Sequence, residues 1–394
     1  MNFKDKKKIL FVAHSPSKTG APIVFFNLVS WLMLNTNKEI VILFKYSGDL
    51  ITEFDKIGKT FIWHHPKNKY FHFRILNKIL KNIFKTKFDY NQYKILNFLK
   101  KEKFDLIYLN SVTSHDLVKI IKSTVKSPVL SHIHEMEYSL NTYFSNLVKN
   151  ALINEIDQFI TVSNLCDSQF KNVIQKKIET KIVNPFVNLA LMQKPTIDTE
   201  LLAKEINVQN KFVVGGCGYG GFVKGLDLFI ELSRKVIYSF PDLPIQFLWI
   251  GDVKNEIICE YSYDNKMLGY PENIIFCGIQ KYPQNYFNLF DVFTLTSRAD
   301  SFPLVAIEAA SLGKPIICFK GASGIPEMIE KEGGFVVPYL DVNEMMEKVI
   351  LLFNNPNLQK TNSSAIKQIS LDYDVSKKAP IINNIIDDMI NKKL

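Results

Sequence analysis

The sequence predicts an α/β protein made of two doubly wound parallel sheets in tandem. Short apolar runs alternate with helix-length segments in both halves of the chain, and those runs are continuously apolar rather than strictly alternating. Strands apolar on both faces suit a parallel sheet covered by helices on each side. A mixed-polarity stretch from Val183 to Asn210, holding Pro185 and Pro195, breaks the rhythm near the middle and reads as a connection between domains. A chain of 394 residues, 47% of them hydrophobic, buries enough surface for two domains.

In the first half, strands are expected at Lys8–Ala13, Ile40–Lys45, Phe61–Trp63, Leu106–Leu109, Val129–Ile133 and Gln158–Val162. Helices are expected from about Pro22 to Asn35, across Tyr70–Lys101 and through Tyr143–Ile153. In the second half, strands are expected at Phe212–Cys217, Ile245–Ile250, Ile274–Phe276, Val292–Thr296, Pro315–Phe319 and Phe335–Val337. Helices fall between them at Gly225–Tyr238, Tyr282–Phe290, Pro303–Leu312, from Pro326, and at Asn343–Phe353. The domain reading is 1–188, a linker 189–210, 211–375, and a helix 376–394 returning to the first domain.

Neither a signal peptide nor a bilayer-spanning apolar stretch is visible, so a cytoplasmic protein is expected. The five cysteines are scattered singly, without the close pairs of zinc knuckles or redox dithiols. The net charge of +9 is concentrated: Lys67–Lys103 holds eleven Lys or Arg against Asp89 and Glu102. Within it Ile75, Leu76, Ile79, Leu80, Ile83 and Phe84 recur at helical spacing, with Lys78, Lys81 and Lys85 between them. This reads as a basic amphipathic helix for an anionic membrane surface, or as an ordinary domain helix. No recognised nucleic-acid module accompanies the charge, so a nucleic-acid partner is not expected.

Ligands of doubly wound sheets bind outside the carboxyl ends of the strands, which directs attention to four loops. Gly215–Gly225 is glycine-rich between a strand and a helix and ends on Lys224, so backbone N–H groups and one mobile cation can approach phosphates. A flexible turn with a solvent-facing Lys is the plainer reading. Ser297–Glu308 places Asp300 on a loop, Pro303 in the first turn of a helix, the free N–H groups of Leu304 and Val305 behind it, and Glu308 on the helix. A carboxylate there suits a ribose diol. Ser15–Pro22 follows the first strand, and Gly20 and Ala21 allow close approach to a helix N-terminus. Ser131–Met136 carries His132, His134 and Glu135. It lacks the third ligand of a metal site and the second His of a zincin helix, so His134 is read as a contact for a substrate hydroxyl or a developing charge. His64-His65-Pro66 reads as a loop without a role.

Taken in order, these motifs resemble the retaining glycosyltransferase family 4. They are Thr19-Gly20-Ala21, His134-Glu135, Val162-Ser163-Asn164, Asn184-Pro185-Phe186-Val187, Lys224-Gly225 with Asp227, Gly251, Gly278, the acid-x7-acid pair Asp300 and Glu308 around Phe302-Pro303-Leu304, Gly313-Lys314-Pro315, and Gly321–Glu327. The resemblance covers nearly the whole chain. It implies the GT-B architecture, two Rossmann-like domains facing a central cleft, and transfer of a sugar from a nucleotide-sugar with retention. It further implies that Lys224 binds the donor phosphates, Glu308 the ribose, and the amides of Leu304 and Val305 the diphosphate. Asp300 contacts the donor sugar, Gly20 and Ala21 lie against the donor, His134 sits near the reacting carbon, and Gly278 and Ile279 frame the base. Gly218 and Phe302 join the donor-binding set, and His134, Lys224 and Asp300 form the catalytic set.

No metal or other cofactor is expected, since Lys224 and helix N–H groups can stabilise the leaving diphosphate and no Asp-x-Asp motif ends a strand. The expected acceptor is a glycan or a lipid-linked glycan of surface-polysaccharide assembly, such as capsule or O-antigen, at the inner face of the plasma membrane. The chain departs from the family pattern at Tyr219 and Val223, where relatives carry an Arg, at Asp300 in place of Glu, and at Thr19 in place of Gly. Two alternatives stay open: an inactive, membrane-bound partner subunit, and a sugar-nucleotide epimerase of the same architecture.

Overall fold

The computed structural model describes residues 6–65, 89–144, 152–329 and 332–392. These divide into two compact units: Met1–Val162 with Cys166–Asn184 and Val375–Leu394, and Ser163–Leu165 with Pro185–Asp374.

The first unit runs β1 (Lys8–Ala13), α1 (Gly20–Asn35), β2 (Glu39–Phe44), α2 (Ile51–Asp55), β3 (Lys59–Ile62), α3 (Tyr90–Lys101), β4 (Leu106–Asn110), α4 (Val118–Thr124), β5 (Val129–Ile133), α5 (Glu137–Tyr143), β6 (Gln158–Thr161), α6 (Asn164–Ile174) and β7 (Thr180–Ile182). Its seven strands are all parallel, in the order β3-β2-β1-β4-β5-β6-β7. The centre is dry because the strands are apolar on both faces: all of Ile9–Ala13, Val41–Phe44 and Leu106–Leu109 is buried. Phe54 of α2 locks α1 to β2, with ring centroids 5.3 Å from Phe25 and 4.9 Å from Phe44. The order reverses between β1 and β4, so the loops after these strands form the switch point where ligands of such sheets are held. The C-terminal helix Val375–Lys392 also belongs here. Its Ala379, Ile382 and Ile386 are buried, and Lys38 beyond α1 reaches Asp387 at 2.8 Å and Asn383 at 2.7 Å.

The second unit runs α7 (Leu189–Met192), α8 (Thr199–Glu205), β8 (Phe212–Cys217), α9 (Leu226–Ser239), β9 (Ile245–Ile250), α10 (Asn255–Leu268), β10 (Ile274–Phe276), α11 (Pro283–Phe287), β11 (Val292–Leu295), α12 (Leu304–Ser311), β12 (Ile316–Phe319), α13 (Pro326–Ile329), β13 (Gly334–Val337), α14 (Val342–Asn354) and α15 (Pro356–Ser370). Its parallel order is β10-β9-β8-β11-β12-β13, reversing between β8 and β11. Trp249, Phe229 and Phe247 fill the core under β8 and β9.

Several expectations need correction. Residues 189–210 are not a free linker but part of the second unit: Asp198 caps α8 through the backbone of Glu200 and Leu201, and Asn285 binds Thr196 at 2.9 and 2.8 Å. Pro195 thus separates two short helices. Gly215 and Gly216 belong to β8 rather than to the loop. A Cβ on Gly215 would stand 2.3 Å from the Phe290 ring and one on Gly216 2.7 Å from Trp249, so both glycines serve core packing. Pro303 is the N-cap of α12, one residue before its first turn. Helix α10 was missed because only Tyr261 and Asn265 of its residues are buried, which leaves little apolar periodicity to read. The amphipathic stretch of the basic segment 67–103 lies outside the described residues, as does most of the helix expected through Tyr143–Ile153. Of the basic segment, the part from residue 89 onward is α3 and its flanks.

Candidate active site

At the carboxyl edge of the second unit's sheet, three loops converge. The loop after β8 runs from Gly218 to Gly225. Gly225 has φ 66°, and a Cβ there would stand 2.0 Å from the carbonyl oxygen of Thr296, so only glycine lets this loop meet the one after β11. Gly218, at φ 151°, likewise leaves the space that the methylenes of Lys224 occupy. With the backbone so placed, Lys224 forms a hydrogen-bonded ion pair with Asp300, both side chains largely buried. Burial opposes the ammonium charge, but Asp300 outweighs it and holds the Lys224 pKa above its ordinary value. Lys224 is therefore a permanent cation in a partly desolvated place.

The loop after β11 turns into α12 at Pro303. Asp300 is held by its N–H to Ala322 O at 2.9 Å, and Phe302 stacks on Tyr373 at 5.5 Å. The N–H groups of Leu304 and Val305 open the helix without intrahelical acceptors, and its positive end accompanies them. Glu308 lies about one turn further along. Its carboxylate has no hydrogen bond or ion pair among the described residues, and burial pushes its pKa up to about 7. An unpartnered carboxylate of this kind is a strong acceptor in want of donors. Gly278 and Ile279 follow β10, where Gly278 O accepts from Gly251 N at 2.9 Å and Ile279 is 78% exposed. The structure thus gathers Lys224 and Asp300 directly, and arranges Gly218, Phe302, Pro303, Leu304, Val305, Glu308, Gly278 and Ile279 along one sheet edge.

A clamp that the sequence did not reveal fixes these loops to one another. Arg298 makes a two-pronged ion pair with Asp227, 2.7 and 2.5 Å, and also donates to Phe222 O at 3.1 Å. Its guanidinium lies 4.6 Å over the Phe222 ring, and its own N–H binds Val223 O at 2.8 Å. The Asp227 pKa is depressed, chiefly by the Arg298 hydrogen bonds. The only trace in the sequence is an Arg two residues before Asp300 and an Asp three after Lys224.

In the first unit, the remaining expected residues lie at the carboxyl edge of its sheet. Gly20 and Ala21 open α1, with open space around the Gly20 Cα. His134 follows β5, and its Nε2 donates to Asn110 Oδ1 at 3.2 Å; a carboxamide oxygen only accepts, so Nε2 carries the proton. Burial pushes the His134 pKa down to about 3, and its ring lies 4.1 Å from that of His132, which Tyr108 holds at 2.7 Å. His134 is therefore a neutral imidazole. Glu135 does not face outward: it accepts from Ser111 Oγ, from Val112 N at 3.3 Å and from His134 N at 3.0 Å. Ser111, at φ 79° and ψ 149°, is a strained non-glycine residue held by these bonds. Asn110 and Ser111 escaped sequence reasoning; their one signal is that they end the apolar run of β4.

Residues 211–355 match the family described as Glycosyl transferases group 1. This stretch is a glycosyl transferases group 1 domain. The chain is 24% identical over 242 residues, 60% of its length, to an uncharacterised glycosyltransferase of Haemophilus influenzae, and spans 65% of that relative. It is 23% identical over 344 residues to the O-antigen biosynthesis glycosyltransferase WclY of Escherichia coli, with 82% of each chain covered. The crystal structure of Anabaena HepE in complex with UDP is 18% identical, with a TM-score of 0.79 over 97% of this chain and all of that one. The fold is GT-B, two Rossmann-like parallel-sheet domains, and the group 1 domain holds the Lys224, Asp300 and Glu308 cluster.

Proposed function

We propose that the protein is a retaining glycosyltransferase of family 4, acting without a divalent metal, that moves a sugar from a nucleotide-sugar to a glycan or lipid-linked acceptor in surface-polysaccharide biosynthesis. The observation that carries this is that the group 1 domain holds both a largely buried Lys224 cation, ion-paired with Asp300, and a Glu308 carboxylate with no partner among the described residues, on the helix α12. Cation and helix N–H groups suit a diphosphate, and the carboxylate suits a ribose diol. UDP is the favoured carrier, since HepE was solved with UDP and with UDP-glucose.

In this reading the bond between the sugar's anomeric carbon and the diphosphate oxygen breaks, and the charge left on that oxygen is met by Lys224 and the amides of Leu304 and Val305. The acceptor hydroxyl bonds to the anomeric carbon on the same face, and its proton passes to the departing diphosphate. Asp300 lies where the positive charge of an oxocarbenium-like sugar develops. Among the described residues no helix is long and apolar enough to cross a membrane. We assign membrane contact to the basic segment 67–103 at the inner face of the plasma membrane.

The test is slow hydrolysis of a panel of UDP-, GDP-, ADP- and TDP-sugars in EDTA. One donor should be consumed, with loss in both Lys224→Ala and Glu308→Ala. If no nucleotide-sugar binds, the protein is the inactive partner; if activity vanishes in EDTA and returns with a divalent ion, the metal-free mechanism is wrong.

A further inference from the structure

Three exposed aromatic residues of the first unit have no part in the chemistry above. His14 directly follows β1, Tyr46 lies two residues past β2 and His64 two past β3. The sheet ladder continues beyond the strands to hold them: Tyr46 N donates to His14 O and His64 N to Lys45 O, each at 2.9 Å, and Trp63 N to Phe44 O at 2.7 Å. The Asn91 side chain of α3 ties down Ile62 O at 2.8 Å. With their backbones fixed, the rings form a row, His14 to Tyr46 at 5.1 Å and 57°, Tyr46 to His64 at 5.1 Å and 24°.

The row is not core: Tyr46 is 44% exposed, and both histidines are exposed. Nor is it an anion site. Lys45, whose Nζ lies 5.9 Å from the centre of the Tyr46 ring, is already matched by Asp116 at 2.7 Å and Thr113 O at 2.8 Å. Partial burial and Lys45 hold the His14 pKa below its ordinary value. The Ser15 hydroxyl lies 3.3 Å from His14 Nδ1, and further along the same loop the hydroxyls of Ser17 and Thr19 stand 3.0 Å apart.

A pyranose has a C–H face of slight positive character and a rim of hydroxyls. An exposed aromatic row next to hydroxyl groups complements both. We propose that His14, Tyr46 and His64 form a stacking platform for a sugar ring of the acceptor, so that the acceptor is recognised as a glycan. This rests on the transferase reading above.

The histidine ring protons of the full chain can be followed by NMR, since the sequence holds only seven histidines. His14→Gln and His64→Gln assign the two signals. The probes are methyl glycosides of glucose, galactose, mannose and N-acetylglucosamine, with inorganic phosphate as the comparison. At least one glycoside should shift both signals; Tyr46→Ala should abolish the shift and Tyr46→Phe retain it. With the active donor, Tyr46→Ala should lower the ratio of transfer onto that glycoside to hydrolysis by water, by up to about tenfold. The platform is refuted if no glycoside moves these signals, if phosphate alone does, or if Tyr46→Ala leaves the shift intact. Donor hydrolysis without glycoside reports on the transferase reading separately: if it fails while the glycoside shifts persist, the platform stands and the transferase reading falls.

Discussion

Glu308 gives the most exacting test of the donor site. Its carboxyl pKa is raised from 4.5 to about 7 by burial, with no donor to its oxygens among the described residues. At ~1.4 kcal/mol per unit, keeping it ionised above pH 7 costs the free protein about 3 kcal/mol. The native state here binds the proton more tightly than the unfolded chain, so the cost is absent below about pH 4.5, grows as pH rises to about 7, and is constant beyond. Glu308→Gln should therefore raise Tm at pH 8 and leave it nearly unchanged at pH 4.5. Donor binding should reverse the logic. Two ribose hydroxyls favour the carboxylate, so a UDP-sugar, whose diphosphate does not titrate near neutrality, should expel the proton. At pH 6.5 about three quarters of the Glu308 population is protonated, and calorimetry in buffers of different ionisation enthalpy should find close to that fraction of a proton released per donor bound. Glu308→Gln should abolish the release and weaken binding by roughly 10- to 100-fold, the worth of charge-assisted hydrogen bonds. Equal proton release in wild type and Glu308→Gln, or unaltered affinity, would refute the ribose assignment.

Lys224→Ala should lower kcat for donor hydrolysis by about 100- to 1,000-fold, with a smaller change in KM, as expected for a group that meets charge on the leaving oxygen; steady-state kinetics in EDTA reads this. Arg298→Lys keeps the charge but loses the fork to Asp227, and should cost about tenfold in kcat/KM with Tm nearly unmoved. The exchange Arg298→Asp with Asp227→Arg should recover part of that loss, which a purely structural defect would not allow. Gly225→Ala forces a Cβ to within 2.0 Å of the Thr296 carbonyl at φ 66°, and should lower Tm by an amount equivalent to about 1–3 kcal/mol while disabling the donor site.

The sheets were legible because their strands carry their own signal. Runs such as Ile9-Leu10-Phe11-Val12-Ala13 and Phe247-Leu248-Trp249-Ile250 are apolar on both faces, as a covered parallel sheet requires. Elements stabilised mainly at the surface were not legible. Helix α10 buries little, β7 is the three-residue edge strand Thr180-Lys181-Ile182, α7 is a single turn that buries only Leu189, and α8, which buries only Leu202, is held by its Asp198 cap. Proline and polar composition between Val183 and Asn210 signals breaks in helices, and a linker and a pair of short docked helices look alike in those terms.

The site divides the same way. Lys224, Asp300 and Glu308 could be singled out because strand-end loops leave few places for a cation and two carboxylates. What no local pattern could tell is which of them the protein pairs with itself. The Lys224–Asp300 contact spans 76 positions, and the Arg298–Asp227 clamp 71. Their outcomes differ: Asp227 is paired with Arg298 and Asp300 with Lys224, while Glu308 finds no partner among the described residues. A carboxylate that bears the cost of burial with no hydrogen bond or ion pair among the described residues marks where an external hydrogen-bond donor belongs. The glycine loop follows a related rule. Gly215 and Gly216 are demanded by Phe290 and Trp249, and only from Gly218 onward does glycine serve the close approach of Lys224 and the Thr296 carbonyl. A run of glycines in sequence therefore overstates the phosphate loop, and the side chains packed against each one decide which glycines belong to it.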